Sequence, residues 1–240
     1  HDRTLRLFAL RDYLDARDVP EVSGVRNTIA AQEFGSDYTD PFDVRAAGVQ
    51  LSLGRWARAR WRVEAAAEKH APLAVRATSE NGAYESTIPA RAVRGTRVSL
   101  HADGAVVSVA GGIMHANAEL RLVHYDRRAA RVAVDAEYER AVAAGTLQMR
   151  TVAAALSGGA LPPQMFVYLG GPTTAPGYRF DEFAARRGVS QHVEWRTEIP
   201  FAPIALGRFG RTPSRATIAP FVHTVWVDDS PSLLRGNRQG

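Results

Sequence analysis

The chain has 240 residues, 45% of them hydrophobic and 23% charged, so it is too apolar for a disordered tail and holds one barrel-sized domain or two small ones. It has no cysteine, which excludes disulfides, thiolate metal sites and cysteine nucleophiles, and no run of ~20 apolar residues that could cross a membrane as a helix. Its formal charge of +5 comes from Arg scattered among Glu and Asp, with Lys69 as the one lysine, and not from the clustered basic face a nucleic-acid partner requires.

The start at His1 shows no basic and apolar leader and reads as the beginning of an excerpt. From there, two-residue alternation recurs and helical periodicity never runs long, which predicts β-strands. About ten are expected, in order Thr4–Asp15, Asn27–Tyr38, Val44–Leu53, Ala59–Lys69, Arg91–Ala102, Met114–Asp126, Ala129–Val142, Leu147–Ser157, Gln191–Phe201 and Arg215–Asp228. Most approach the length of membrane-crossing strands, ~9–11 residues or slightly more.

The third and fourth segments frame the first clear case. Trp61, Val63, Ala65 and Ala67 oppose Arg62, Glu64 and Glu68. Further on, Leu120 and Leu122 oppose Glu119 and Arg121, and Val132, Val134, Ala136 and Tyr138 oppose Arg131, Asp135, Glu137 and Glu139. The sharpest is His192–Ile199, where Val193, Trp195, Thr197 and Ile199 oppose His192, Glu194, Arg196 and Glu198.

Connections alternate in length. Asp40-Pro41, Gly54-Arg55, Asp126–Arg128 and Ala143–Gly145 read as tight turns, whereas Ala71–Pro89 and Gly158–Ser190 read as long loops. A soluble β-sandwich accommodates alternating strands too, but it has no reason to alternate its loop lengths or to load its second face with Glu, Arg, Asp and His. An outer-membrane barrel with a wet, charged lumen does both.

No catalytic centre emerges. Six internal histidines (His70, His101, His115, His124, His192 and His223) are dispersed, with no metal-ligand spacing, and no Gly-x-Ser-x-Gly elbow occurs. No cofactor or metal is expected.

The run from Tyr168 to Phe180 packs Gly170, Gly171, Pro172, Pro176 and Gly177 ahead of Tyr178, which predicts a preshaped loop. Leu169-Gly170-Gly171, Gly177-Tyr178, Val193-Glu194-Trp195-Arg196 with Ile199-Pro200, and Ala219-Pro220-Phe221-Val222 with Val225-Trp226 resemble the C-terminal half of the BamA/TamA-like bacterial surface antigen superfamily of outer-membrane assembly barrels. Asn27-Thr28, Phe34-Gly35 and Asp37–Asp40 are similar to strand-pair sequences of the same barrels.

The resemblance implies an all-β fold: an antiparallel transmembrane β-barrel, present as about ten strands of a sixteen-stranded whole, with further strands on both sides and about three more after Asp228. It implies an inward-folding loop at about 158–190 whose tip, at Pro176, Gly177, Tyr178 and Arg179, packs on the lumen wall near Glu194, Arg196 and His223. The family's tip Arg is Pro176 here, and its second wall carboxylate is His223. The expected substitute is a pairing of Glu194 with Arg179 or Arg196, with His223 neutral and hydrogen-bonded in the lumen.

By the same resemblance the chain is a non-enzymatic barrel of the outer membrane that inserts or passes other polypeptides. Its expected partners are outer-membrane lipid and lipopolysaccharide, client polypeptides, and periplasmic assembly partners. A passive pore, the barrel anchor of a fused hydrolase and a soluble β-sandwich are the alternatives.

Overall fold

A computed structural model describes residues 3–20, 24–34, 38–56, 58–73, 80–81 and 88–228. Ten strands form one antiparallel sheet: β1 (Thr4–Asp15), β2 (Pro41–Trp56), β3 (Ala59–Pro72), β4 (Val93–Val109), β5 (Gly112–His124), β6 (Arg128–Val142), β7 (Gly145–Gly158), β10 (Arg187–Pro200), β11 (Arg215–Ile218) and β12 (Phe221–Val227). Chain neighbours pair throughout, except that β7 pairs with β10, and β10 pairs with both β11 and β12. Between β7 and β10 the chain makes a 3-10 turn at Pro163–Met165 and a small hairpin of β8 (Val167–Leu169) and β9 (Phe183–Ala185).

The alternating segments all form strands. Asn27–Tyr38 does not: Gly24–Phe34 is a helix, α1, and residues 35–37 of that prediction lie outside the described residues. Ala30-Ala31-Gln32-Glu33 is a run of strong helix formers, and Val25 and Ile29 fall four apart on one helical face. Asp40-Pro41 is accordingly no hairpin turn but the entry from this helical excursion into β2.

Three further predictions are corrected. Gly54-Arg55 lies inside β2, where a bulge shifts the register between Ser52 and Gly54. β4 runs past Ala102 to Val109 by absorbing Asp103-Gly104 as a bulge, and then reverses through Ala110 and Gly111, both at positive φ. The last predicted strand is broken into β11 and β12 at Pro220, which has no N–H to donate but accepts from Trp195 N.

At one end of the sheet the strands are linked at positions 57–58, 110–111, 143–144 and 201–214, and at the other at 16–40, 73–92, 125–127 and 159–186. The expected alternation of short and long connections holds only in part: 125–127 is a tight turn at the end of the long connections, and 201–214 is a long connection at the other end.

The register fixes two faces of opposite character. One face carries rows such as Leu5, Leu51, Val63, Leu100, Leu120 and Val132, and Leu7, Val49, Ala65, Val98 and Leu122, each residue paired with the next across the ladder. Many of these are exposed, Leu7 by 75% and Leu5 by 68%, and no second layer covers them among the described residues. At the short-turn end this face meets Trp61, Tyr138 and Trp195. Each bonds a turn carbonyl: Trp61 Nε1 to Trp56 O at 3.0 Å, Tyr138 Oη to Ala110 O at 3.4 Å and Trp195 Nε1 to Val142 O at 3.4 Å.

The opposite face is charged and self-neutralising. Arg97 bonds Glu68 at 2.9 Å and Glu64 at 3.2 Å, Arg62 bonds Asp103 at 2.8 Å, Arg121 bonds Glu119 at 2.9 Å, and Arg150 bonds Asp135 at 3.0 Å. These pairs link neighbouring strands or successive residues of one face, as cross-strand packing allows.

The sheet is strongly coiled. Arg131 on β6 shares a ladder row with Arg121, Ser99, Glu64, Gln50 and Arg6. In a flat sheet Asp15, at the far end of β1, would lie about 24 Å across and about 30 Å along from Arg131. Yet Asp18, three residues beyond Asp15 and so at most ~11 Å away along the chain, forms an ion pair with Arg131. Twist and coiling of the sheet bring them together.

Candidate functional site: a loop folded back against the polar face

The connection 159–186 packs onto the charged face, and β8 shows how. Its alternate residues contact different parts of the sheet. Val167 and Leu169 join Val123, Ala129, Ala154 and Leu156 of β5–β7, with Val225 and Val227 of β12 against them. Phe166 and Tyr168 join Phe42, Val44 and Ala46 of β2 and Ala66 of β3. Because successive side chains of a strand point to opposite sides, β8 lies between two opposing walls of one coiled sheet. Gly188 of β10 permits the approach: a Cβ there would meet Leu169 Cδ1 at 3.0 Å and Val167 Cγ1 at 3.2 Å.

After β8 the loop turns sharply. Gly170 has φ +145°, and a Cβ on it would lie 2.3 Å from Arg179 O. Thr174 Oγ1 bonds both Gly170 N and Gly170 O, and Ala175 N bonds Gly171 O. The tip itself is little covered: Gly177, Tyr178 and Arg179 are exposed, and Pro176 is half-buried. The Tyr178 ring packs on Phe183 at 4.9 Å, and Arg179 N bonds Glu182 Oε2 at 2.8 Å.

Glu194, Arg196 and His223 lie on the charged face as expected, but they do not meet the tip. Glu194 is engaged by Arg196 and, at 3.1 Å, by His192 Nε2. Of the two candidate partners, Arg196 is the one that pairs with it. His223 holds the loop three residues before Gly177, donating from Nε2 to Thr174 O at 2.9 Å, with Ser190 Oγ also at 2.9 Å. His223 Nδ1 lies 3.3 Å from His192 Nδ1. With Nε2–H committed to Thr174, His223 is not placed to take a proton from Ser190.

The strongest fastening involves residues the sequence did not single out. Arg17, just beyond β1, is buried, with Nε 2.8 Å and Nη2 3.0 Å from the Asp181 carboxylate. It also bonds Asp40 and the Tyr38 carbonyl, and stacks over the Phe180 ring with its Cζ 3.6 Å from the centroid. Asp40 in turn accepts from Ile88 N at 2.7 Å, so one carboxylate ties down two long connections. Burial and the neighbouring Asp40 raise the Asp181 pKa to about 7, with Arg17 opposing the rise. Asp181 has φ +51°, a conformation Asp tolerates better than most residues.

Comparison with protein-family models, with characterised proteins and with solved structures gives no match. The site's meaning therefore rests on its geometry. A loop supplies the carboxylate and the first connection supplies the arginine, the reverse of the polarity implied by the resemblance.

Proposed function

We propose that the chain is part of a transmembrane β-barrel of the bacterial outer membrane, of the type that inserts other polypeptides into that membrane or passes them through it. The observation that carries this reading is the sheet's inside-out character: an exposed apolar face outward, and an ion-paired face wrapped around the chain's own loop. A soluble protein rarely leaves so much contiguous apolar surface uncovered. Lipid is its natural solvent, and the charged inner face suits a wet lumen.

On β3 the outward apolar residues run Trp61, Val63, Ala65 and Ala67, with Lys69 beyond them. Six residue steps cover about 20 Å along the strand, or about 16 Å along the membrane normal at a ~40° tilt, and the step to Lys69 brings this to about 21 Å, against the ~25 Å band of outer-membrane barrels. Aromatic residues at one boundary match an interfacial girdle.

The loop between the walls favours assembly over a passive pore, because it occupies the space a solute would cross and is held by a buried ion pair. Depletion of the full-length protein tests this. The expected result is a fall in folded outer-membrane proteins or secreted clients; unchanged client levels with altered uptake of small solutes would instead establish a pore.

A further inference from the structure

The outward face changes character at the long-connection end. Arg11, Arg45, Lys69 and Arg94 stand directly opposite one another in a single ladder row across β1–β4, and all are exposed. Asp43 offsets the first two, lying 2.8 Å from Arg11 and 3.4 Å from Arg45. Lys69 and Arg94 have no acidic partner among the described residues. On the same face, one row nearer the apolar belt, Thr96, His124 and Arg128 pair across β4–β6, and Arg128 likewise has no acidic partner among the described residues. Asp126, two residues before Arg128, is engaged by Arg91 at 3.4 Å. Like charges placed opposite one another repel, so this register favours an anion between them.

Directly below lies a groove of about 440 Å³. Val98, Leu122 and Ala130 line its apolar part, His124 and Arg128 its cationic end, and the small residues Ser157 and Gly158 leave it open. A cationic rim over an apolar slot is the complement of an amphiphile with an anionic head.

We propose that this groove is a binding site for an anionic lipid of the leaflet at the long-connection end, with a headgroup phosphate held by Arg94, His124 and Arg128 and an acyl chain lying along Val98, Leu122 and Ala130. The site rests on the reading of the outward face as lipid-facing. Lys69 adds charge from the neighbouring strand, and juxtaposed Lys and Arg at a membrane surface draw anionic lipids through their field.

These 240 residues contain no cysteine, so a single label can be placed within them once any cysteine elsewhere in the full-length protein is replaced. In the full-length protein reconstituted in bilayers, a fluorophore is attached at Ala130→Cys in the groove or at Val193→Cys on the distant apolar face. Quenching by brominated phosphatidylglycerol and by brominated phosphatidylcholine is then compared at equal mole fraction. The expected result is equal quenching by both lipids at Val193, but a preference for the anionic lipid at Ala130 that falls roughly fivefold for each of Arg94→Gln and Arg128→Gln. Equal quenching at both positions overturns the site and leaves the membrane reading intact. No quenching at Val193 overturns both. Loss of the preference on adding millimolar inorganic phosphate overturns the lipid assignment in favour of a free-phosphate site.

Discussion

Arg17 and Asp181 are 164 residues apart in sequence and form a buried ion pair at 2.8 Å that joins the first long connection to the last. It is the only arginine–carboxylate contact among the described residues with both side chains so fully enclosed apart from Arg17–Asp40, which shares the same guanidinium. Removing the cation would leave Asp40 and Asp181 facing each other without it. Arg17→Met is expected to cost about 3–5 kcal/mol of stability, whereas adding Asp181→Asn to it recovers part of the loss. Denaturant unfolding of the reconstituted full-length protein measures both, and equal stability of Arg17→Met and the parent would refute the latch.

The same cluster predicts a pH dependence. The folded-state pKa of Asp181, about 7, lies above the ordinary value of 3.8. The folded state then binds more protons than the unfolded one between those values, so this contribution to stability is complete below about 3.8 and is lost as pH rises through about 7. Asp40, Asp15, Arg17 and Tyr168 surround the group and shape the titration. Proteolysis at exposed Arg179 should be slower at pH 5.5 than at pH 8.5 in a lipid environment. Asp181→Asn should flatten that difference, after correction for the protease's own pH profile.

A third prediction concerns the link from His223 to Thr174. His223→Ala removes the donor to a buried carbonyl and should weaken loop docking by about 1–3 kcal/mol, read as faster amide exchange at Thr174 and Ala175. His223→Gln keeps a donor and should recover part of that protection. Identical exchange in all three proteins would show that this hydrogen bond does not hold the loop.

Backbone shape supplies a fourth. Gly170→Ala places a Cβ 2.3 Å from Arg179 O at φ +145°, so the turn after β8 must rearrange. A loss of about 1–3 kcal/mol is expected, against little effect from Arg179→Ala, whose side chain is exposed and whose bond to Glu182 is made by its backbone N–H. Thermal unfolding of the two variants distinguishes them.

The strands were legible because one wet face and one apolar face impose a period of two, and a one-residue slip would invert every side chain. Trp61–Glu68 and His192–Ile199 alternate so cleanly that their orientation could be assigned from composition alone. Their ends were less legible: Asp103-Gly104 looks like a turn and is a bulge, whereas Ala110-Gly111 is a turn built on a residue with no turn preference. Helix α1 was missed because its apolar positions are few and exposed, leaving propensity as the signal. The loop's existence followed from its Gly and Pro content. Its fastening did not, since neither periodicity nor a local motif couples Arg17 to Asp181. Glu194 and His223 were placed on the correct face, but their partners proved to be His192, Arg196, Ser190 and the Thr174 backbone.

The central claim is that the apolar face of this sheet meets lipid while its charged face encloses the folded-back loop. Single-cysteine labelling along β3 in the full-length protein in bilayers tests it most directly. Fluorophores at Val63, Ala65 and Ala67 should be quenched by a lipid-chain nitroxide and shielded from aqueous iodide, while those at Glu64 and Glu68 escape the lipid-phase quencher. Uniform iodide access at all five positions, or lipid-phase quenching at Glu64 and Glu68, would contradict the account.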